Sequence, residues 1–379
     1  MQTVAVGWQI YEITRDPLDL GLIGLSQFLP FVVLVLPAGH FADRHTRQMV
    51  LAACYGLLFL CALLLLAFTL SGVLVAWPVF AVMVLFGVGR AFAMPTGQAL
   101  MPNLVPPALF SRAVAVNSTT WQLSTIAGPA IGGLIYLLGA EVVYSVVATL
   151  LAAAVFLMLG VRAPRPSRVG QTAGLEGLLE GLRFVFRRKV ILGAISLDLF
   201  AVLFGGATAL LPAYASDVLN VGPDGLGWLR AAPGVGAAVI AVAFAWRPLT
   251  RRVGPAMLGG AGLFGLATVV FGVSESFTVS LVALAVLGAA DMVSVYVRHM
   301  LVQLETPDQI RGRVSAVNAV FIGASNELGE FESGVTAAWW GLRPAVVVGG
   351  VASIMIAGLW ARWFPALREM REFPAPATR

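Results

Sequence analysis

Long apolar runs separated by short polar turns dominate this chain. A helix that spans a bilayer needs about 20 predominantly apolar residues. The pattern predicts such helices over 20–39, 48–70, 77–101, 113–138, 142–161, 190–214, 226–246, 255–273, 278–304, 314–340 and 344–364. The run over 3–13 is too short to cross, so we interpret it as part of a first helix whose beginning is missing from this sequence.

The longest polar segment, residues 162–189, separates the apolar runs into two groups. Pro164 and Pro166 are followed there by the amphipathic stretch 175–188, which we expect to lie on the membrane surface. We therefore predict an N-terminal six-helix bundle over 1–161, a cytoplasmic linker over 162–189, a C-terminal six-helix bundle over 190–364 and a cytoplasmic tail over 365–379.

The composition indicates an all-α integral membrane protein. Of the 379 residues, 59% are hydrophobic and 11% are charged, whereas a soluble domain has about 25% charged residues. The net charge of +5 does not indicate nucleic-acid binding, because the basic residues lie scattered in short loops and form no patch. The lipid bilayer is the partner that this pattern predicts, with no nucleic acid.

The basic residues also predict the orientation. If the turn at 39–47 faces the cytoplasm, 19 of the 24 Lys and Arg residues fall in cytoplasmic segments, and Arg15 and Arg343 are the basic residues of the opposite turns. Positive residues concentrate on the cytoplasmic side of membrane proteins. We therefore predict a multi-pass protein whose C-terminus is cytoplasmic.

An internal repeat relates the two groups of helices. A shift of 201 residues aligns 106–133 with 307–334, and eight of the 28 pairs are identical. Asn117/Asn318, Gly128/Gly329 and Gly133/Gly334 are among these pairs. Such parallel repeats produce two similar bundles around an axis along the membrane normal. The alternative is that two helices merely share a common membrane composition.

Three stretches carry a family resemblance. The turn at 39–47 contains Gly39, Asp43, Arg44 and Arg47, and the fifth predicted membrane helix contains Gly128, Pro129, Gly132 and Gly133. The third stretch is 306–318 together with 325–334. On these residues the chain resembles the major facilitator superfamily, and within it the branch of bacterial enterobactin (siderophore) exporters. The resemblance implies a twelve-helix fold of two pseudo-symmetric six-helix bundles.

The resemblance also implies a function, namely proton-coupled export of small siderophore-like organic molecules across the bacterial cytoplasmic (inner) membrane by alternating access. It implies that the turn at 39–47 is a conformational latch, and that the fifth-helix motif is typical of exporters. The simpler alternatives are that the turn only stops a helix and that the Gly-Pro pair only kinks one. We expect a monomer. The alternative functions are a multispecific drug efflux antiporter and, from another class, a non-transporting membrane sensor.

Charged residues inside predicted membrane helices are the best candidates for function, because a charge in lipid is costly. They are Arg90, Asp198, Asp291, Glu327 and Glu330. A dry cavity favours the neutral form of a carboxylic acid, so such an acid can take up and release a proton. The alternative is a structural ion pair, for instance of Arg90 with an acid on another helix.

Three further residues are candidates for the wall of a central cavity: Trp121, Gln122 and Asn326. For Trp121 the alternative is packing or anchoring at the membrane interface. Cys54 and Cys61 lie seven residues apart in one apolar run, where we expect them to serve packing. The sequence contains no phosphate-binding loop, no metal-ligand spacing and no convergent catalytic set. We therefore expect no cofactor, no metal and no enzymatic activity.

Overall fold

The structure is a computed structural model, and it describes residues 1–72, 75–100, 104–106, 109–161, 175–307 and 310–374. Within these residues every regular element is helical and no strand occurs. The prediction of an all-α membrane fold is confirmed. Residues 162–174 of the predicted linker and 375–379 of the predicted tail lie outside the described part of the chain.

The first half of the molecule comprises six helices. Their bounds are α1 Gln2–Thr14, α2 Pro17–Arg44, α3 Arg47–Leu70, α4 Trp77–Leu100, α5 Phe110–Tyr136 and α6 Ala140–Gly160. The helix α7, Leu175–Arg187, follows and leads into the second half. The second half comprises α8 Lys189–Gly205, α9 Pro223–Trp246, α10 Val253–Val273, α11 Phe277–Glu305, α12 Arg311–Trp340 and α13 Leu342–Trp363, with a short α14 over Pro365–Arg368.

Between α8 and α9 the helical path changes its winding. A 3-10 segment, Ala207–Leu210, and a single α-turn, Leu211–Ala213, lead into a π-helix, Tyr214–Val218. The sequence predicts one regular helix over 190–214. The regular helix ends at Gly205 instead, and the carbonyl of Gly206 accepts a hydrogen bond from Ser333 Oγ at 3.0 Å. Irregular backbone at membrane depth needs such a partner, because lipid offers none.

In the described part of the chain, nine segments are long and apolar enough to cross a membrane. In α5 the apolar stretch is limited to Leu123–Tyr136. The turns at 15–16, 137–139, 219–222, 274–276 and 341 lie at one end of the bundle, which we call the arginine-poor end. Arg15 is the basic residue in these turns, and Arg343 follows two residues after the last of them. The opposite side of the bundle is the arginine-rich end.

One predicted turn is much shorter in the structure. Residues 39–44 continue α2, and the chain turns only at His45 and Thr46. The prediction of a loop over 39–47 is therefore wrong in its bounds. A helix C-terminus accommodates basic residues because its dipole is negative there. At the end of the helix, Nδ1 of His45 lies 3.0 Å from the carbonyl oxygen of Phe41. The His45 and Phe41 rings are stacked with their centroids 3.9 Å apart.

The two halves approach each other at pairs of glycines. A Cβ on Gly334 of α12 would lie 2.8 Å from Gly21 Cα of α2, and a Cβ on Gly133 of α5 would lie 2.7 Å from Gly227 Cα of α9. Gly133 and Gly334 are equivalent in the 201-residue repeat. The repeat therefore places small residues at both crossings between the halves, where they allow close backbone contact.

Helix α7 packs its apolar side on protein. Val185 is fully buried in a cluster with Val302, Val314 and Val317. A Cβ on Gly181 would lie 2.9 Å from the Arg313 backbone, and Glu180 forms an ion pair with Arg313. The amphipathic stretch that the sequence assigns to the membrane surface is thus attached to α12, because α12 offers a matching apolar face.

We expect Gly334→Ala to weaken the contact between the halves at the arginine-poor end. The added methyl group would meet backbone atoms of Gly21 and Pro17 at 2.8–3.0 Å, which cannot rotate away. Overpacking of this kind costs about 1–3 kcal/mol. Thermal unfolding in detergent measures the loss. Gly56→Ala in α3 is the control, since nothing lies within 4 Å of its Cβ position; equal stability of the two variants would contradict the prediction.

Candidate functional site at the interface of the two halves

An ion pair joins the two halves near the middle of the bundle. Arg90 Nη1 of α4 lies 2.9 Å from Glu327 Oε1 of α12 and 3.5 Å from Gln27 Oε1 of α2. The Glu327 side chain is 15% exposed, whereas that of Arg90 is 45% exposed. Almost half of the Arg90 side chain therefore remains exposed while its guanidinium pairs with the carboxylate of the other half.

Glycines let the helices that carry these charges approach α2. A Cβ on Gly87, one turn before Arg90, would lie 2.3 Å from the carbonyl oxygen of Gln27. A Cβ on Gly24 would lie 2.8 Å from Glu330 Oε2. A side chain at Gly87 would push α4 away from α2, and one at Gly24 would displace the Glu330 side chain. These two positions hold Arg90 and the two glutamates within reach of one another.

Glu330 extends the charged group toward α9. It lies one turn after Glu327 on the same face of α12, as the sequence predicts. Its electrostatic neighbours are Glu327, Arg230 of α9 and Arg90. Arg230 in turn approaches α1, where a Cβ on Gly7 would lie 3.5 Å from its Nη2. We call Arg90, Arg230, Glu327 and Glu330 the central charge group; its formal charges sum to zero.

Asp198 and Asp291 form a different group, which lies inside the second half. Arg298 of α11 forms an ion pair with Asp198 of α8, and the two side chains are 3% and 6% exposed. Ser294 Oγ lies 3.5 Å from Asp198 Oδ1. Asp291 of α11 interacts electrostatically with both Asp198 and Arg298. The structure therefore divides the sequence-predicted acids between two places.

A third polar group connects the two halves at the arginine-poor end. The hydroxyl of Tyr11 donates a hydrogen bond to Asp217 Oδ2. Arg15 Nη1 donates to Ser216 Oγ at 2.8 Å and lies 3.4 Å from Asp217 Oδ1. Tyr11 and Arg15 belong to the first half, whereas Ser216 and Asp217 belong to the π-helix of the second. We call these four residues the end cluster.

Hydrogen bonds fasten α1 to the rest of the first half. Gln9 Nε2 donates to Thr69 Oγ1 at 2.9 Å, and the Tyr144 hydroxyl donates to Gln9 Oε1 at 2.7 Å. Tyr136 donates to Glu12 Oε2 at 3.2 Å. Because α1 is held in this way, separation of the halves at this end has to break the end cluster.

The remaining predicted residues stand apart from these groups. Trp121 is 75% exposed, and Asn326 is also exposed. Within the described part of the chain, neither side chain forms a hydrogen bond with the central charge group. Pro129 lies inside α5, while Gly128 and Gly132 face the start of α1. The described part of the structure does not include the side chains of Gln122, Asp43 and Arg44. It also does not include the burial of Gly39.

Sequence reasoning missed several of the residues that matter here. Arg298 lies seven positions after Asp291, so the helical repeat places both on one face of α11, and this spacing is the signal that would have found it. Gln27 and Arg230 are polar residues inside apolar runs, which is a weaker signal. The end cluster joins residues about 200 positions apart. No local pattern indicates such a pairing.

The fold and its charge groups define the class of protein: a multi-pass membrane protein whose two six-helix halves meet at charged residues, as in alternating-access transporters. Residues 1–330 match the family model for the Major Facilitator Superfamily, and the chain belongs to that family. The predicted family and twelve-helix fold are thereby confirmed. Members of this family are transporters.

Two named relatives cover most of the chain. The Multidrug efflux pump Tap of Mycolicibacterium fortuitum is 29% identical over 387 residues, covering 97% of this chain and 92% of Tap. The Enterobactin exporter EntS of Escherichia coli O1:K1 is 27% identical over 322 residues, covering 83% of this chain and 76% of EntS. The chain is thus a transporter related to efflux proteins.

Solved structures support the fold. A bacterial homolog of the human lysosomal transporter Spinster, in an inward-facing and occupied conformation, has a TM-score of 0.71 at 13% identity and covers 99% of this chain and 96% of its own. A POT family transporter in complex with 5-aminolevulinic acid has a TM-score of 0.74 at 12% identity, covering 97% and 94%. At these identities the likeness concerns the fold alone.

We expect Asp217→Asn to open the arginine-poor end. The change removes the Arg15 ion pair and weakens the Tyr11 hydrogen bond, and a hydrogen bond to a charged group contributes about 1.5–3 kcal/mol; the 41% exposure of Asp217 reduces this amount. Distances between spin labels at Leu138→Cys and Asn220→Cys, measured with Cys54 and Cys61 changed to Ala, report the opening.

The control for that variant is Arg343→Gln. It breaks the ion pair with Glu275, 2.8 Å long and also exposed, which lies within the second half at the same end. We expect no change in the label distances, because this pair does not connect the halves. A distance distribution in Asp217→Asn that equals that of Arg343→Gln would show that the end cluster does not hold the halves together.

Proposed function

We propose that this chain is a proton-coupled exporter that moves small organic molecules, of siderophore-like character, out of the bacterial cytoplasm by alternating access. The single observation that carries the proposal is the ion pair of Arg90 with Glu327, which connects the two halves at the level of the central charge group. The relation to efflux proteins supports the direction of transport.

The Arg90–Glu327 ion pair couples proton binding to the movement of the two halves in this proposal. When the halves separate at the arginine-poor end, Arg90 and Glu327 move apart, because they belong to different halves. Breaking a fully buried ion pair by loss of one partner costs about 3–5 kcal/mol, and the 45% exposure of Arg90 lowers this cost. A proton on Glu327 removes the negative charge and so removes most of the penalty.

The cycle follows from this. In the state described here the arginine-poor end is closed by the end cluster and Glu327 is paired with Arg90. A substrate that enters from the arginine-rich end reaches the exposed guanidinium of Arg90 and loosens the pair. After the halves rock, Glu327 takes a proton from the opposite side and the substrate leaves. Return to the closed state requires the pair to form again, and the proton is released toward the arginine-rich end.

The charge distribution supports the location that we propose. The arginine-rich end faces the cytoplasm in this proposal, since basic residues concentrate on that side of membrane proteins. The C-terminal tail then also lies in the cytoplasm, and protons flow inward while substrate flows outward. We propose a monomer in the cytoplasmic (inner) membrane, because the two halves of one chain supply both sides of the central site.

The balanced central charge group supports an amphipathic organic substrate. Two arginines and two glutamates can bind both acceptor and donor groups of a solute, and Phe31 lies 6.0 Å from the Arg90 guanidinium as an apolar neighbour. Two named relatives favour different substrates: EntS is an enterobactin exporter and Tap is a multidrug efflux pump. A multispecific drug efflux antiporter is therefore the second candidate.

We expect Glu327→Gln to abolish efflux driven by a proton gradient, because the neutral amide cannot exchange a proton. The measurement is transport into inverted vesicles that are energised by a proton gradient. Glu275→Gln is the control, since its carboxylate pairs with Arg343 away from the interface. Proton-driven transport in Glu327→Gln at the wild-type rate would mean that this carboxylate does not couple. A wild-type protein that binds ligands tightly without flux would instead indicate a sensor.

Substrate identity is tested with a panel of enterobactin, other catechol siderophores and cationic dyes such as ethidium. We expect efflux of catechol siderophores and little protection against the dyes, since residues 306–318 and 325–334 resemble the branch of enterobactin exporters. The readouts are growth and efflux in cells that lack their own exporters. Broad transport of dyes without siderophore efflux would favour the multidrug alternative.

The latch that we propose at the turn after α2 rests on Gly39, Asp43, Arg44 and Arg47, and the exporter motif rests on Gly128, Pro129, Gly132 and Gly133. Asp43→Asn is expected to slow transport and to change the populations of the two conformations, whereas a mere helix stop predicts wild-type behaviour. The second half has basic residues and no Asp at 247–252, so the latch is asymmetric.

A further inference from the structure

One arginine of the central charge group lacks a partner. Arg90 pairs with Glu327. Arg230 of α9, by contrast, forms neither an ion pair nor a hydrogen bond with any residue that the structure describes, and its Nε atom is buried. A buried donor without an acceptor costs free energy, and a poorly solvated charge costs more. An acceptor that the described chain does not supply would therefore bind here favourably.

The position of Arg230 on α9 directs it toward the first half. Gly227 lies three residues before it and Gly234 four residues after it, so the three share one face of the helix. A Cβ on Gly227 would lie 3.0 Å from Gly133 Cα, and a Cβ on Gly234 would lie 2.5 Å from Ile126 Cγ1, both in α5. This face of α9 thus meets the first half of the molecule.

Two further helices border the guanidinium. On α1, a Cβ on Gly7 would lie 3.5 Å from Arg230 Nη2, so residue 7 contributes no side chain that would cover this nitrogen. On α12, Glu330 is the electrostatic neighbour of Arg230. The two charges form no ion pair within the described structure. The guanidinium therefore has a carboxylate near it but no acceptor in contact with it.

Arg230 lies deeper than Arg90 for a molecule that enters from the arginine-rich end. Helices α4 and α9 both begin at the arginine-poor end, α4 at Trp77 and α9 at Pro223. Arg90 follows thirteen residues after Trp77, and Arg230 follows seven residues after Pro223. At about 1.5 Å per residue, these positions lie about 20 Å and about 10 Å from that end. An entering molecule therefore meets Arg90 first and Arg230 last.

We propose that Arg230 binds an acidic oxygen group of the transported molecule, such as a carboxylate or a deprotonated catechol. The inference rests on the proposed function and narrows its substrate to an amphipathic molecule that carries an anion. A guanidinium binds such oxygens through two parallel charge-assisted hydrogen bonds. Glu330 then lies beside the bound group, where its carboxylate accepts a hydrogen bond from a hydroxyl of the same molecule.

The place of Arg230 between the halves makes this binding depend on conformation. Opposite charges attract each other more strongly in a medium of low dielectric constant than in water. While α1 lies beside Arg230, the bound anion is shielded from water on that side. When the halves separate at the arginine-poor end, α1 moves away with the first half and water reaches the guanidinium. The anion is then held less strongly and leaves toward that end.

The proposal is tested with two probes that differ by one charge. Protocatechuate is a catechol that carries a carboxylate, and its methyl ester is neutral. Binding of each probe to the full chain in detergent is measured by titration calorimetry. We expect the wild-type protein to bind protocatechuate about 10- to 100-fold more tightly than the ester, as the loss of hydrogen bonds to a charged group predicts. We expect Arg230→Gln to bind both probes with equal affinity.

Two variants separate a contact with the anion from a structural role. In Arg230→Lys we expect part of the preference to remain, because an ammonium keeps the charge but cannot form two parallel hydrogen bonds. Arg343→Gln is the control, since its ion pair with Glu275 lies within the second half at the arginine-poor end. We expect this control to retain the wild-type preference.

Three outcomes would overturn the inference. They are a wild-type protein that does not prefer the acid, a full preference in Arg230→Gln, and an Arg230→Gln variant in which both probes are weakened by the same factor. If Arg230→Gln does not fold, Arg230→Lys replaces it, and an undiminished preference leads to the same conclusion. Failure of the proposed function looks different: the preference for the acid then depends on Arg230, but flux does not respond to a proton gradient.

Discussion

The cost of an ionised group in a low-dielectric medium is the constraint on which this structure depends. Two arginines inside the helices are placed where a carboxylate on a different helix can reach them. Arg90 finds Glu327 across the interface, and Arg298 finds Asp198 within one half. A pair that crosses the interface depends on conformation, whereas a pair inside one half does not.

Close backbone approach makes this pairing possible. The helices that carry Arg90 and Glu327 both pack on α2, and Gly87, Gly24 and Gly334 lie where these helices approach α2 closely. In a bilayer the hydrophobic effect does not press helices together, so small residues and van der Waals contact decide which faces meet. These glycines therefore contribute to the positions of the charged residues.

Helix α1 forms hydrogen bonds with both halves of the molecule. Helix α1 is fastened to the first half through Gln9 and Glu12, and it reaches the second half through Tyr11 and Arg15. Its partner is a π-helix, an irregular element that often occurs at functional sites.

The sequence by itself indicated most of the helices, the family and the fold, because the apolar period and the motifs at 39–47, 128–133, 306–318 and 325–334 are local properties. It also placed Glu327 and Glu330 on one face, since a helix has a fixed repeat. Only the tertiary structure decided which charges meet: Arg90 with Glu327, Arg298 with Asp198, and Arg15 with Asp217. These partners lie about 100 to 240 residues apart, and their pairing depends on helix packing that no local pattern specifies.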